Sequence, residues 1–488
     1  MNIEQITYRS SFIERLLLGS LLLFSFLLLN SCSEIQNRTH KGADPIVRDL
    51  PQIRESGKLI LLTENTSTSY FLYRGQPVGY DYDLVKAFAK SQGLELEVKV
   101  IHDLNKMFDL LRSGEGDIIA CNLVVNAERQ QIVDFTVPIG ETRQVLVQRK
   151  PEGWRKMRRK QWEDSLIRTI PDLQGKTILA HKYSSFWSRL YDIQHEQGIQ
   201  IDIREAPGDI DSEELIHLVA EGEIPFTVAD ENVALLNHTY NASIDVETAI
   251  SVPQQIAWAV RPNADSLLVA LDEWLSSPGN NRLLAYTHTK YFESVKDQKA
   301  RVQSEFSSLG GNRISMYDEA IKTHSEELDW DWRLLASLVY TESRFDPDAR
   351  SWAGAFGLMQ LMPVTAERFG IDSTMKEEAN IQAGVGYLKY LNKFWMPRVE
   401  DNSERIQFVL ASYNVGHGHV LDAQNLAIEL GLDPQKWDDN VELALEYKSQ
   451  ARYYQMDCVK YGYCRGNAAS LYVKNVLNQY KHYVSLAT

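Results

Sequence analysis

The sequence predicts a multidomain chain, with an α/β two-lobed domain in the N-terminal part and a mainly α domain in the C-terminal part. Two patterns and one break carry this. Strand-like and helix-like runs alternate from Lys58 to about residue 295, as in layered α/β domains. Helical periods then run from Ile314 to Val484, with prolines and glycines between them. A polar stretch containing Gly310 and Gly311 separates the two regions. The 488 residues suffice for two or three domains. Hydrophobic residues make up 44% and charged ones 24%, the balance of a globular chain. Lys plus Arg number 51 and Asp plus Glu 66, a formal net charge of -15. So acidic a chain has no general attraction for phosphate backbones, which argues against a nucleic-acid partner.

At the N-terminus, Arg9 and Arg15 precede an apolar run from Leu16 to Leu29. The run is short for a membrane span, which needs about 20 residues, and suits the apolar region of a secretory signal. It ends in Leu29-Asn30-Ser31-Cys32, which resembles the lipobox of bacterial lipoproteins. That resemblance implies acylation of Cys32 after removal of residues 1–31. Ser33, not an Asp, follows the cysteine, which by the same resemblance points to the outer membrane, with the protein facing the periplasm. Acyl chains at roughly 0.8 kcal/mol per buried methylene hold a protein on a membrane without a spanning helix. The alternatives are an ordinary cleaved signal with an incidental cysteine, or an uncleaved anchor. Residues 32–50 are polar and read as a tether.

The expected domain spans 51–295. It opens with a strand from Lys58, a helix from Gly79 and a strand at Leu96–Val100. A helix through Leu104–Leu111 and a strand at Ile118–Val125 follow. The rhythm returns at Thr177–Ala180, Phe186–Gln197, Gln200–Arg204, Glu213–Glu221 and Pro225–Ala229. An apolar run at Ser251–Val260 and a helix at Ser266–Leu275 complete it. One sheet, a second sheet and a return to the first is the threading of a two-lobed binding protein. Gly79-Tyr-Asp-Tyr-Asp-Leu, Gly114-Glu-Gly-Asp-Ile-Ile-Ala, Asn126-Ala-Glu-Arg-Gln-Gln-Ile-Val-Asp-Phe-Thr and Thr227-Val-Ala-Asp230 stand in this order. Together they resemble the extracellular solute-binding proteins of the amino-acid-binding type, a periplasmic-binding-protein-like fold. The resemblance implies that Arg129 grips a ligand carboxylate as a fork and that Asp230 holds its amino group. Tyr70 or Tyr73 would supply an apolar wall. Cys121, Asn122 and Val124 stand where the relatives place serine hydroxyls, so the pocket is altered. A small carboxylate such as a muropeptide fragment of the cell wall is the expected ligand; the alternative is a module that serves only as spacer or docking surface.

Residues 296–313 read as a linker or connecting helix, and 314–488 as the helical domain. Within the helix Trp332–Ser343, Leu335, Leu338, Val339 and Glu342 share one face at spacings of three and four. A carboxyl held against apolar side chains keeps its proton nearer to neutral pH and can donate it to a leaving oxygen. The alternative is an interfacial glutamate paired with Arg333 or Arg344. Glu342-Ser-Arg-Phe-Asp-Pro-Asp-Ala-Arg-Ser351, then Gly354-Ala-Phe-Gly-Leu-Met-Gln360-Leu-Met-Pro363, and later Ala411-Ser-Tyr413-Asn414-Val-Gly416, resemble soluble-lytic-transglycosylase-like domains, a branch of the lysozyme-like fold. Tyr472-Val473 is similar to that family's final block, although Ala468 stands where the family often has a glutamate.

The resemblance implies Glu342 as the catalytic acid/base, and Ser351, Gln360, Met362, Tyr413 and Asn414 as contacts to peptidoglycan glycan strands. Most glycosidases need two carboxylates, and neither Asp346 and Asp348 nor Glu326, Glu327 and Asp329 stand out as a second. The family's chemistry needs only one: the muramic acid C6 hydroxyl attacks the anomeric carbon and leaves a 1,6-anhydro end. The full architecture resembles the membrane-bound lytic murein transglycosylase F family. Two other readings are a lipid-anchored solute receptor whose C-terminal domain only binds peptidoglycan, and a lysozyme-type hydrolase. No motif implies a metal or organic cofactor. Cys458 and Cys464, in Cys-Val-Lys-Tyr-Gly-Tyr-Cys, are expected to form a disulfide in an exported chain. Cys121, in an apolar run, is expected to be a buried thiol.

Overall fold

The computed structural model describes residues 46–486 apart from 183, 208–209, 312 and 374–375. Cys32 and the signal region lie outside the described residues. In chain order the strands are β1 (Lys58–Thr63), β2 (Phe71–Tyr73), β3 (Gln76–Val78), β4 (Glu95–Val100), β5 (Ile118–Ile119), β6 (Asp134–Phe135) and β7 (Gly140–Thr142). They continue as β8 (Gln144–Arg149), β9 (Thr177–Ala180), β10 (Asp202–Glu205), β11 (Phe226–Asp230), β12 (Ile244–Ala249), β13 (Gln254–Ile256) and β14 (Ala259–Val260). One sheet has the order β4-β1-β5-β14-β6 and the other β10-β9-β11-β8-β12. The chain therefore crosses to the second lobe after β7 and returns through β13. These two pair antiparallel and form the ribbon between the lobes.

Both sheets are mixed. β1 runs parallel to β4 and β5, and β9 to β10 and β11, whereas β8, β12 and β14 pair antiparallel. The strand expected over 118–125 stops after Ile119, and Asn122 takes a left-handed φ of 55°. That turn aims the Asn122 amide at Asp230 of the other lobe, 2.9 Å away. The sequence-predicted Trp332–Ser343 helix forms with those bounds. Asp331 accepts from the Arg333 amide at its start, and Arg344 and Phe345 end it at φ 54° and 62°. Leu335, Leu338 and Val339 are fully buried, each burial stabilising by about 1.5–3 kcal/mol. The helix packs against the C-terminal helix Gly466–Leu486.

That last helix also meets the first domain. Its Gln479 Nε2 and Tyr483 hydroxyl donate to the Gly75 carbonyl at 2.7 and 3.1 Å, and its Asn478 Nδ2 donates to Glu95 at 2.6 Å. Gly75 is the turn of the β2–β3 hairpin, and Leu72 of β2 is buried within the helical domain's own core. Tyr70 departs from the expected ligand wall. The tight turn closed by the Thr66 amide on the Tyr70 carbonyl directs Thr66, Thr68 and Ser69 into the interlobe cleft and Tyr70 away from it. Its hydroxyl instead hydrogen-bonds His482 Nδ1 at 2.7 Å. Burial pushes that imidazole down to about 3, so it is neutral.

The segment expected as a linker is largely structured. Val295–Val302 is helical. The chain after it docks on β2, with the Arg74 amide on the Phe306 carbonyl at 2.8 Å and the Ser308 amide on the Leu72 carbonyl at 3.0 Å. A Cβ on Gly310 would lie 2.5 Å from the Val302 carbonyl oxygen, so close packing, not looseness, calls for glycine there. The expected disulfide is absent: Cys458 and Cys464 are both free thiols. Asp422 closes their loop instead, accepting from the Lys460 and Tyr461 amides at 2.8 and 2.7 Å and from Lys448 Nζ at 2.8 Å. Cys464 turns into the helical core and Cys458 packs at its edge.

Gly75 takes φ +73°, and an added Cβ would lie 2.6 Å from the Tyr483 oxygen and 2.7 Å from Phe345. Gly75→Ala is expected to destabilise the protein by about 1–3 kcal/mol in denaturant unfolding. A change within about 0.5 kcal/mol, the range of ordinary surface substitutions, would contradict this packing.

Candidate active site

Glu342 sits on the last turn of the Trp332–Ser343 helix, above the three buried aliphatic residues of its face. Its Oε1 accepts a 2.6 Å hydrogen bond from the Tyr472 hydroxyl. Burial pushes its carboxyl up to about 7 from 4.5, and the Tyr472 bond opposes that rise in part. The arginine pairing that would make it a structural glutamate does not occur. Arg333 instead pairs with Asp331 at 2.7 Å, and Arg344 is exposed at the helix end. Among the described residues no second carboxylate bears on Glu342. Asp346 caps the turn to Asp348, and Glu327 is held by Lys389 at 2.9 Å and His324 at 3.1 Å.

The loop after the helix forms a wall held by backbone bonds. The Ser351 amide donates to the Ala355 carbonyl at 2.9 Å, and the Ser351 hydroxyl accepts from the Ala355 amide at 3.0 Å. Gln360 takes a left-handed φ of 46°, and its Nε2 donates to the carbonyls of Ala349 and Gly357 at 2.9 Å each. A non-glycine residue in that conformation is strained, and its two side-chain bonds offset the strain. Met362 is half-exposed ahead of Pro363, while Met359 is buried in the core. From the Asn402–Val415 helix, Tyr413 donates to the Met359 carbonyl at 2.7 Å. Burial raises the Tyr413 phenol, and the charge of Glu342 adds to that rise. Asn414 is exposed at the same helix end. Glu342, Tyr413 and the Gln360 loop therefore meet, whereas Ser351 and Gln360 spend side-chain atoms on the loop itself.

Sequence reasoning missed the role of one residue and the whole of another. Tyr472 was visible as part of the final motif, but its bond to Glu342 spans 130 positions and no local pattern signals it. Asn380, on the Glu377–Trp395 helix, accepts from the Met359 amide at 2.8 Å and lies where a Cβ on Gly357 would strike it at 2.4 Å. It props the same loop. Ala468, where the resemblance would place a glutamate, is exposed one turn before Tyr472.

A concavity of about 670 Å³ lies between the lobes of the first domain and is lined by Glu64, Cys121, Asn122, Arg129, Glu213 and Asp230, among others. Arg129 donates to the Val124 carbonyl at 2.8 Å. Asp230 accepts from Asn122 through one oxygen, while its buried Oδ1 has no partner. Burial pushes Asp230 up to about 7 against the pull of Arg129, and burial with the Asp211 charge pushes Glu64 to about 8. Glu213 crosses the cleft to the Ser67 amide and hydroxyl at 3.1 and 2.7 Å. Cys121 is buried at the cleft floor, its thiol pushed far up by burial. The cleft thus sets the Arg129 guanidinium close to several reluctant carboxyls, with Arg189 also in its lining. Among the described residues, no group of three or more His, Cys, Asp or Glu side chains is arranged to hold a metal ion. No helix there is long and apolar enough to cross a membrane.

Residues 59–294 match the family described as bacterial extracellular solute-binding proteins, family 3, and residues 319–431 the transglycosylase SLT domain. The membrane-bound lytic murein transglycosylase F of Desulfosudis oleivorans is 35% identical over 89% of this chain and 91% of its own. Its namesake in Aliivibrio fischeri is 33% identical over 88% and 84%, and that of Saccharophagus degradans 31% over 88% and 82%. Among solved structures, a mutant of ArgBP from T. maritima aligns with 50% of this chain and 99% of its own at 21% identity and a TM-score of 0.42. With both domains matched in order and relatives aligned over most of their length, the chain belongs to the membrane-bound lytic murein transglycosylase F family.

Proposed function

We propose that this lytic murein transglycosylase cleaves the β-1,4 bond between N-acetylmuramic acid and N-acetylglucosamine with Glu342 as its single acid and base. The observation that carries the reading is the Glu342 carboxyl, partly buried on an apolar face with one oxygen fixed by Tyr472 and no second carboxylate acting on it. At neutral pH a group near 7 is still substantially protonated, so it can give its proton to the glycosidic oxygen as the bond breaks. The resulting carboxylate then accepts the proton of the muramic acid C6 hydroxyl, whose oxygen closes on the anomeric carbon. The bond lost is C1–O4, the bond gained is C1–O6, and the proton passes through Glu342. Tyr413 and the Gln360 loop form the wall beside the carboxyl, and Ser351, Met362 and Asn414 lie on the same two segments. A hydrolase reading would call for a carboxylate that activates water, and no described residue is placed to do so.

Acylated Cys32 would tether the enzyme to the outer membrane, with the domains facing the periplasm. The interlobe cleft is proposed to take a small carboxylate that also bears an amino group, such as a muropeptide. Arg129 suits the carboxylate, and the unpartnered Asp230 Oδ1 suits the ammonium. Regulation by that ligand has a physical route. The β1–β2 loop lines the cleft through Thr66 and Ser69, and the same chain continues into the hairpin held by the C-terminal helix, which carries Tyr472. A shift of the lobes that moved the hairpin would thus bear on Glu342.

Mass spectrometry of peptidoglycan digested by the protein tests the reaction. Anhydro-ended muropeptides are expected from the parent and their loss, by at least about a hundredfold in rate, from Glu342→Gln. Reducing ends in place of anhydro ends would overturn the single-carboxyl reaction.

The pH profile tests Tyr472. Its bond favours the charged carboxylate and holds the Glu342 value down. Tyr472→Phe therefore raises the value, and the alkaline fall of kcat/KM, expected near pH 7 in the parent, moves to higher pH. A lower rate with an unmoved alkaline limb would leave Tyr472 with a packing role only.

A further inference from the structure

Beyond the reacting carboxyl, the helical domain carries a cationic cluster that the reaction does not use. Tyr387, Tyr390 and Phe394 lie along one face of the Glu377–Trp395 helix, and each is partly exposed. Tyr387 packs on Tyr413 with ring centres 5.4 Å apart and stacks with Tyr390 at 6.3 Å. His417, which follows the Asn414–Gly416 segment, meets Tyr390 at 5.7 Å and Phe394 at 4.8 Å. The rings thus form a continuous line outward from the Tyr413 side of the active site.

Two guanidinium groups are mounted on this line. The Arg368 guanidinium lies 4.4 Å from the centre of Tyr390, and that of Arg398 lies 4.2 Å from Phe394. Both side chains are exposed, and neither forms an ion pair with an Asp or Glu among the described residues. Burial depresses the His417 imidazole, and both guanidinium charges add to that shift, so the two bear on one small area. Arg398 is fixed further by its bond to the Phe394 carbonyl. In a chain with a net charge of -15, two neighbouring arginines without carboxylate partners are an uncompensated feature. Stacking on a ring orients a guanidinium before any anion arrives, and the fork geometry matches a carboxylate.

We propose that Arg368 and Arg398, mounted on Tyr390 and Phe394 beside His417, form a carboxylate subsite that holds the peptide stems of the glycan strand lying in the active site. The inference rests on the proposed peptidoglycan substrate, whose strands carry stem peptides with free carboxylates on muramic acid. A strand seated against Tyr413 would bring its neighbouring stems along the aromatic line to the guanidinium pair. The subsite would favour stem-bearing peptidoglycan over glycan already stripped of peptides.

The test compares full-length parent and the double variant Arg368→Gln/Arg398→Gln on intact peptidoglycan and on glycan strands freed of peptides by an amidase. The expected result is a KM raised about threefold to tenfold on the intact substrate only, as two exposed charge contacts would give. Lysine at both positions should restore part of the difference, because charge is kept while the fork is lost. An unchanged KM on intact peptidoglycan overturns the proposal, and so does an equal rise on both substrates. Should the parent release no product at all, the enzymatic reading fails separately, and co-sedimentation with intact peptidoglycan decides the subsite. Weaker binding by the double variant supports it, and equal binding overturns it.

Discussion

A carboxyl group taken out of water holds its proton more tightly, and how tightly depends on what still touches it. Glu342 is partly buried on an apolar helix face, and the hydrogen bond it receives comes from Tyr472 on the last helix of the chain. That last helix is fixed at its far end by the first domain, through Gln479 and Tyr483 on the Gly75 carbonyl and His482 on Tyr70. The carboxyl proposed as the reacting acid is therefore linked, through this helix, to contacts made across the domain boundary. A helical domain cut away from its partner would leave the Gly75 hydrogen-bonding groups and the imidazole of His482 facing solvent or unpaired. Two modules joined by a loose tether would have no such dependence.

The same geometry suits the single-glutamate reaction proposed above. Burial raises its proton affinity for the donating step, and the Tyr472 bond keeps the carboxylate accessible for the accepting step. A second carboxylate nearby would disturb both through its charge. The loop of Ser351 and Gln360 contributes rigidity: its side-chain amide and hydroxyl hold backbone groups, and a left-handed Gln360 is maintained by them. The cleft of the first domain shows the opposite electrostatic design. Glu64 and Asp230 both sit where burial raises their carboxyls, against the pull of the Arg129 guanidinium.

Much of this was legible in the residues. The Trp332–Ser343 helix and the apolar face under Glu342 follow from spacing alone, and the return of the chain to its first sheet follows from the order of apolar runs. Antiparallel strands were harder. β8 and β12 have neither a helical crossover nor a tight hairpin turn to announce them, and β5 was overextended because Asn122 turns the chain for a contact in the other lobe. Tyr70 was assigned to the wrong surface because the turn at Thr66 reverses which side chains face the cleft. The polar stretch with Gly310 and Gly311 reads as a linker or a connecting helix, and those glycines in fact permit close backbone packing. The cysteine pair suggested a bridge, but a buried Lys448–Asp422 pair closes that loop without one. Each of these depends on a partner distant in sequence, which spacing cannot reveal.

The central claim concerns one proton, so its titration is the most direct test. Carbon-13 NMR of glutamate-labelled protein, with Glu342→Gln to assign the signal, reads the protonation of this carboxyl across the pH range. A midpoint near 7 is the predicted result. A midpoint near 4.5, the ordinary value for a glutamate, would mean that Glu342 is already ionised at neutral pH and is not the proton donor described here.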